Sequence, residues 1–228
     1  MKVLGIDTST LATTISVLDL DELICEYTVN TKKTHSQKLM VMIENMLKVS
    51  DININDIDLI AVCEGPGSFT GLRIAMATAK AIAHANNLDI ISVDSLEVLA
   101  RNIEITDKKI CCIIDAQKTQ VYNGIYKYEN DKLIPLKKID VLDIDELLEN
   151  LDEEFIIVGE ATKKYKEKIN AKNIKIASRQ NNVNRASSLC EIAIEKYKKG
   201  EDIKNCYQVN PRYIRKSQAE IDYENRNK

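Results

Sequence analysis

The first part of the chain has the apolar pattern of β-strands, and the pattern then changes to that of a helix. Residues 2–7 form an apolar run typical of a buried strand, and residues 13–20 and 23–30 are rich in β-branched side chains. Short polar turns separate these segments, which predicts an antiparallel three-strand meander at the edge of a sheet. From residue 35 to residue 49 the period becomes helical. The apolar stripe of this predicted helix consists of Leu39, Met42, Ile43, Met46 and Leu47.

The next segments have the order of a βαβ unit. The pattern predicts a buried strand at residues 58–63, an alanine-rich helix at residues 72–85 and a second strand at residues 89–93. Asp94 or Ser95 is positioned to cap a further helix. We therefore expect a parallel strand pair with a right-handed crossover.

The second half repeats this order after a charged linker at residues 104–109. Its predicted strands are residues 109–116, 120–129, 133–141, 155–159 and 174–177. Its predicted helices lie near residues 143–150, from about residue 161, and at residues 186–199. The order βββαβαβα in both halves predicts a duplicated α/β fold of two domains, residues 1–103 and residues 104–228. The second domain would end in a charged tail from Ser217 onward.

Composition limits the possible functions. Apolar residues make up 44% of the chain and charged residues 29%, as in ordinary globular proteins, and the net charge is −3. A protein that binds nucleic acid without a partner usually has a net positive charge, so we expect a partner to provide most of any nucleic-acid binding. We interpret Arg212, Arg215 and Lys216 as part of a solvated face. Six cysteines without a CxxC pair favour reduced, buried thiols rather than a metal site. No apolar run is long enough to span a bilayer, which predicts a cytoplasmic protein without membrane contact.

Two loops have the residue types of phosphate-binding segments. Residues 5–10 (GIDTST) end a strand in Asp7 followed by hydroxyl residues, although such residues are also common turn formers. The second loop, called here the signature loop (residues 65–73), is far more specific. Its residues are Gly65, Pro66, Gly67, Ser68, Phe69, Thr70, Gly71, Leu72 and Arg73. It lacks the Lys-Ser/Thr ending of a Walker-type loop, which excludes that class of NTPase.

The signature loop, together with residues 5–10 and His35-Ser36-Gln37, closely resembles the TsaB (YeaZ) family. The resemblance continues at Asp115-Ala116 and at residues 211–215 (PRYIR), and so it covers nearly the whole chain. It implies a duplicated actin-like ATPase (ASKHA/ribonuclease H-like) fold. It also implies a role in placing threonylcarbamoyl on the adenosine next to the anticodon in tRNAs that read ANN codons. The implied partners are a TsaD-like catalytic subunit, a TsaE-like ATPase and, through the complex, tRNA.

The residues agree with a non-catalytic member of that family. Only two histidines occur, His35 and His84, and they are far apart in the sequence, so the His pair of the catalytic relative is missing and we expect no metal site. Where an active relative would have a glycine turn, this chain has Asp115-Ala116-Gln117-Lys118. We therefore expect no catalytic residue and no cofactor in the isolated chain, and a nucleotide only at an interface of the complex.

The two first-half helices are the predicted partner surface. A single sheet covers one face of each helix, and Met40 and Val41 lie off the stripe of residues 35–49, so apolar side chains remain for a partner. We chose as contact residues Met42, Met46, Ile74 and Met76. We expect a homodimer through the same surface when TsaD is absent, and expect a charge at Met46 or Ile74 to abolish pairing without unfolding the chain. The family pattern has Arg at Gln117 and Gly at Ala75 and Ala81, so contacts there differ in this chain.

Other functions remain open at this stage. A small-molecule kinase of the same superfold would need a glycine-rich adenosine loop in the second half. A metallopeptidase would need a metal triad. A stand-alone chaperone-like interaction protein would differ from a TsaB-like subunit in the partners that co-purify with it.

Overall fold

The computed structural model describes residues 1–20, 22–31 and 34–215. The first sheet has five strands in the order β3-β2-β1-β4-β5, of which the first three form the predicted antiparallel meander and the last two run parallel to β1. Its strands are β1 Lys2–Asp7, β2 Thr13–Asp19, β3 Glu22–Val29, β4 Leu59–Gly65 and β5 Asp89–Asp94.

The second sheet repeats this topology. It has the order β11-β10-β6-β7-β8, with β6 and β7 antiparallel and β6, β10 and β11 parallel. Its strands are β6 Lys109–Asp115, β7 Gln120–Glu129, β8 Lys132–Pro135, β9 Asp140–Asp143, β10 Phe155–Val158 and β11 Ile174–Ile176. The predicted duplication is confirmed. The single strand predicted at residues 133–141 is wrong, because this segment forms two strands, β8 and β9, that pair with different parts of β7.

The described residues contain six α-helices and one 3-10 turn, Ile54–Asp56. The helices are α1 His35–Val49, α2 Phe69–Asn86, α3 Ser95–Arg101, α4 Ile144–Glu149, α5 Ala161–Lys164 and α6 Ala186–Lys199. The first and last have the predicted bounds, but α2 begins three residues earlier than predicted. The reason is the cap: the Ser68 hydroxyl accepts the Gly71 amide at 3.2 Å, which starts the helix at Phe69. No helix among the described residues is both long and apolar enough to cross a membrane.

Helix α6 of the second half packs on the first sheet, and helix α3 of the first half lies between the two sheets. Helix α3 contacts β6 and β7 in the second sheet, and its Leu96 and Leu99 lie in the same apolar cluster as Ile110. Helix α6 lies across β1 and β2 of the first sheet, where Cys190 reaches Gly5 so closely that a Cβ on the glycine would lie 2.6 Å from the cysteine Sγ. The predicted boundary between residues 103 and 104 falls between the strands of the two sheets, and α6 crosses it to pack on the first sheet.

After α6 the chain continues along the first sheet. Residues 203–215, called here the strap, begin beside β5 with a bridge between Lys204 and Ile90, and Val209 is buried in the first core. Further along, the Arg212 amide donates to the Glu64 carbonyl at the end of β4. The charged tail predicted from Ser217 onward lies outside the described residues.

Three of the four predicted contact residues lie in the core under α1 and α2. Met42, Met46 and Met76 pack in the first sheet's apolar cluster and are 7%, 0% and 3% exposed. Side chains that fill the chain's own core cannot also anchor a partner, so choosing these three was wrong. Ile74 is half-buried, and its role stays a prediction. The off-stripe pair is exposed as expected: Met40 is 48% and Val41 54% exposed.

Candidate functional site: the cleft between the two sheets

A cavity of about 460 Å³ lies where the loops of the two sheets face each other. It is open at the carboxyl ends of β1, β4, β6 and β10, the edge at which α/β proteins generally bind ligands. The strap forms part of its wall. The lining residues are Ser9, Thr10, Leu11, His35, Pro66, Gly67, Ser68, Phe69, Thr70, Leu72, Ile114, Asp115, Ala116, Gln117, Tyr122, Glu160, Arg212, Tyr213, Ile214 and Arg215.

The signature loop forms one wall because it is fastened to the turn after β1. The Ser68 amide donates to the Ser9 carbonyl at 2.6 Å, and the Thr8 hydroxyl donates to the Gly71 carbonyl at 2.7 Å. This contact leaves no room for side chains: a Cβ on Gly67 would lie 2.2 Å from the Ser9 oxygen, and one on Gly71 would lie 2.0 Å from the Thr8 oxygen. Two of the loop's glycines are therefore explained by close backbone approach.

An aromatic cluster joins the loop to the strap. The rings of Phe69 and Tyr213 lie 4.6 Å apart between centroids, and the Arg73 guanidinium lies 4.0 Å from the Phe69 centroid. Arg73 Nε also donates to the Tyr213 hydroxyl at 3.0 Å. Arg73, the last residue of the signature loop, thus acts outside the cavity, where it holds the strap against the beginning of α2.

Arg212 and Arg215 line the cleft, and Arg212 is also exposed as the predicted solvated face requires, whereas Lys216 lies outside the described residues. Arg212 Nη1 donates to the Asp94 carboxylate at 3.2 Å, and the guanidinium of Arg215 donates to the Ala116 carbonyl. Burial raises the pKa of Asp94 to about 7, and the positive charge of Arg212 opposes that shift. The strap therefore connects loops of both sheets. Sequence reasoning missed this because isolated basic residues near a polar chain end have no periodic signal.

Asp7 is buried next to Ser9, a residue of the cavity wall, and does not itself line the cavity. Its carboxylate accepts the Ser9 amide at 2.6 Å and the Asn184 side-chain amide at 3.0 Å. Burial raises the pKa of Asp7, while these hydrogen bonds oppose the shift. Asn184 precedes α6 and also donates to the Ser95 carbonyl at 3.2 Å, so it ties both crossing helices to this point. No pattern in the sequence indicates this role of Asn184.

The opposite wall comes from the second sheet. Lys164 Nζ lies 2.8 Å from the Asp115 carboxylate, and the Asp115 amide donates to the Glu160 carboxylate at 2.8 Å. Burial raises the pKa of Glu160. Gln117, where the family pattern has Arg, has a left-handed backbone with φ of 71°, and its amide donates to Asp115 at 3.1 Å. The turn at Gln117 is therefore stabilised by a hydrogen bond to Asp115, within the Asp115-Ala116 segment that the family resemblance includes.

The two histidines lie at opposite ends of the first domain's helices. His35 begins α1, lines the cavity and shares a 2.7 Å hydrogen bond with the Thr13 hydroxyl, and burial lowers its pKa. His84 lies in the last turn of α2, about 20 Å along that helix from Thr70 in the cavity wall. Among residues 1–20, 22–31 and 34–215, no three His, Cys, Asp or Glu side chains form a group that could hold a metal ion.

Comparison with known proteins gives consistent matches over most of the chain. Residues 22–223 match the family model described as TsaD: tRNA N6-adenosine threonylcarbamoyltransferase. The tRNA threonylcarbamoyladenosine biosynthesis protein TsaB of Bacillus subtilis is 36% identical over 172 residues, which span 74% of this chain and 75% of the relative.

Solved structures agree with the topology. The structure of YeaZ from Pseudomonas aeruginosa superimposes with a TM-score of 0.82 at 24% identity and covers 93% of this chain and 99% of its own. The ethanolamine utilization protein EutJ of Carboxydothermus hydrogenoformans gives a TM-score of 0.51 at 13% identity, covering 83% of this chain and 89% of its own. With the duplicated sheets and crossing helices, these matches confirm the predicted actin-like fold.

Proposed function

The chain belongs to the TsaB family of tRNA threonylcarbamoyladenosine biosynthesis proteins, and from this premise we propose that it is a non-catalytic scaffold subunit of the modifying complex. In this proposal it dimerises with a TsaD-like catalytic subunit in the cytoplasm and helps to recruit a TsaE-like ATPase. The reaction it supports is the threonylcarbamoylation of the adenosine next to the anticodon in tRNAs that read ANN codons. The complex, rather than this chain alone, provides the contact with tRNA, because the chain has a net charge of −3.

The observation that supports a scaffold role is the outward surface of α1 and α2. Met40, Val41 and Val49 of α1 are exposed, and the outward face of α2 includes the exposed Ala77 and Ala81. Alanines four residues apart let another helix approach closely. Exposed apolar side chains on two adjacent helices are typical of a surface that pairs with a like-folded subunit. The same surface would form a homodimer when the catalytic subunit is absent, so the two assemblies should compete.

The absence of catalysis is supported by the chemistry of the cleft residues. The resemblance implies a His pair in the catalytic relative, whereas here His35 begins α1 and His84 lies in the last turn of α2. The Asp115 and Glu160 carboxylates are engaged by Lys164 and by a backbone amide. A kinase or peptidase activity would need reactive groups that these residues do not provide. Any nucleotide of the complex is therefore proposed to lie at an interface with a partner.

We expect the purified chain to transfer no threonylcarbamoyl group to tRNA and to hydrolyse no ATP. The assay compares the chain alone, the TsaD-like subunit alone and the two together, each with divalent metal ions present. Transfer should depend on the TsaD-like subunit and increase when this chain is added. Turnover by this chain alone, retained through further purification, would overturn its assignment as non-catalytic.

We expect Ala81→Glu to prevent co-elution with the TsaD-like subunit in size-exclusion chromatography. Ala81 is exposed in the free chain, so a carboxylate there is solvated until a partner covers it, and covering it without a counter-charge costs several kcal/mol. The matched control is Ala171→Glu, because Ala171 is also exposed but lies in the second domain. Both variants should have the same midpoint temperature of thermal unfolding as the wild type. If Ala81→Glu co-elutes as well as the control, the partner binds elsewhere.

A further inference from the structure

Positive charge is concentrated in one segment of the second half. Residues 163–175, called here the basic crossover, run from α5 to β11 and contain six lysines and a single acidic residue, Glu167. The segment has a charge of +5, and because the whole chain has a charge of −3, the rest of the chain has a charge of −8. All six lysines are exposed. They are Lys163, Lys164, Lys166, Lys168, Lys172 and Lys175.

Acidic side chains neutralise only two of these lysines. Lys164 Nζ lies 2.8 Å from the Asp115 carboxylate, and Lys168 Nζ lies 2.7 Å from the Asp145 carboxylate. Within the described part of the chain, the other four lysines have no carboxylate at ion-pair distance. A surface that serves only solubility usually mixes both signs of charge. The excess of positive charge therefore indicates an anionic partner.

The fold holds the basic crossover along the outside of the second sheet. Tyr165 and Ile169 are 6% and 5% exposed and pack in the same apolar cluster as Phe155 of β10. The lysines beside these two anchors are exposed and so point away from the sheet. The Asn173 carbonyl accepts the Phe155 amide at 3.0 Å, which brings the crossover back to the beginning of β10. It therefore spans that four-residue strand, a length of about 13 Å.

This length and charge match the backbone of a nucleic acid. Each strand of a DNA duplex has one phosphate about every 3.4 Å of its axis, and an RNA helix is similar in scale. A surface about 13 Å long thus faces several phosphates of one strand. We propose that the basic crossover binds the phosphate backbone of an RNA helix. In the modifying complex that RNA is the tRNA, a step that rests on the proposed function.

The composition of the basic crossover favours RNA over an acidic protein. Protein interfaces have an apolar centre that is often aromatic, and they are depleted in lysine. The large apolar side chains of the crossover are Tyr165, Ile169 and Ile174, and all three pack in the core of the second sheet. Its exposed Asn170 amide is of a type that commonly hydrogen-bonds to phosphate and sugar oxygens. A lysine-rich surface without an apolar centre fits a phosphate backbone.

The basic crossover lies apart from the proposed partner surface. Helices α1 and α2 pack in the core of the first sheet, whereas the cluster under the crossover consists of second-half residues. A partner on α1 and α2 and an RNA on the crossover therefore occupy different sheets and do not compete. The chain then adds phosphate contacts to those that its partner makes. Its overall negative charge keeps its own RNA affinity low.

The test is the binding of fluorescently labelled tRNA to the isolated full chain, measured by anisotropy at increasing concentrations of potassium chloride. In duplex DNA each phosphate contact contributes about −0.9 to the slope of log affinity against log salt. Contacts from the four lysines without an acidic partner should lower the affinity on the order of a hundredfold between about 50 and about 200 mM salt. No binding at the lowest salt, or binding that salt does not weaken, would overturn the proposal.

Lys163→Gln combined with Lys166→Gln removes two of these four charges. The slope should become shallower by about two, and the affinity at low salt should fall at least about tenfold. The matched control is Lys198→Gln combined with Lys199→Gln, which makes the same change in charge at two exposed lysines at the end of α6. The control should bind as the wild type does. If it loses as much affinity as the first variant, binding follows net charge and the basic crossover is not the site.

A poly-aspartate peptide distinguishes RNA from an acidic protein as the partner. The phosphates of an RNA helix have a fixed spacing, whereas a flexible peptide must be ordered when it binds. The peptide should therefore displace tRNA only in large excess over the tRNA charge. Displacement at equal charge concentration would assign the surface to an acidic protein and overturn the proposal. The assay uses the isolated chain, so its failure leaves the proposed function standing, which co-elution with the TsaD-like subunit tests separately.

Discussion

Met46→Glu should unfold the chain, whereas Val41→Glu on the same helix should leave it stable. Met46 is 0% exposed and packs in the cluster between the first sheet and helices α1 and α2. A carboxylate there loses its hydration without a partner and also removes a well-packed side chain, which together cost at least about 4 kcal/mol. That is a large part of the 5–15 kcal/mol that stabilises an ordinary domain. Val41 is 54% exposed, so its change should stay within about 0.5 kcal/mol.

The measurement is urea unfolding of both variants followed by circular dichroism. The expected result for Met46→Glu is a transition shifted to much lower urea, or aggregated protein after expression. Val41→Glu should retain the wild-type midpoint and serve as a probe of partner binding, which Met46→Glu cannot. If the two variants have equal midpoints, the orientation of α1 described above is wrong.

The two variants also show where sequence periodicity stops being informative. The pattern predicted α1 with its observed bounds and identified Met40 and Val41 as lying off the apolar stripe. The error was to assign the methionines of the stripe to a partner. A stripe shows that one face is buried but not what buries it, and here the chain's own sheet covers all of Met42, Met46 and Met76.

The sheets on which α3 and α6 pack could not be predicted for a related reason. Helices α3 and α6 have the apolar faces that the sequence predicts, and α6 has the predicted bounds. Helix α6 nevertheless packs on the first sheet, and α3 packs against both sheets, because either sheet offers an apolar surface. The period of apolar residues predicts that a helix forms, but the sheet on which the helix packs depends on residues distant in the sequence.

The candidate site was predictable only in part. The signature loop and the turn after β1 were identified by their glycines and hydroxyls, and the structure brings both to one cavity. The sequence does not place the strap or Asn184 there, although residues 211–215 are part of the family resemblance. Their contacts with Glu64, Asp94 and Ala116 join segments distant in the sequence. A polar segment without a period gives no indication of the surface on which it lies.

Gly71→Ala tests whether close packing, rather than helix propensity, determines the effect of a side chain at position 71 of the signature loop. Gly71 is in the first turn of α2 with an ordinary helical backbone, so propensity alone predicts that alanine stabilises the chain by up to about 1 kcal/mol. The structure predicts the opposite sign, because the added Cβ would lie 2.0 Å from the Thr8 carbonyl oxygen and 3.2 Å from the Ser68 Cβ. The nearest atom is backbone of β1's turn and cannot rotate away.

Helix α2 must therefore withdraw from β1, and the contacts of Thr8 with Gly71 and of Ser9 with Ser68 are stretched. We expect a loss of about 2–3 kcal/mol in the free energy of unfolding, the usual cost of overpacking, measured by urea titration. Gly200→Ala is the matched control, because nothing lies within 4 Å of a Cβ added there. Only the backbone φ of 72° at Gly200 disfavours alanine, which should lower the free energy of unfolding by about 1 kcal/mol. If Gly71→Ala proves more stable than the wild type, the close approach of α2 to β1 is wrong. The cleft geometry built on that approach would be wrong with it.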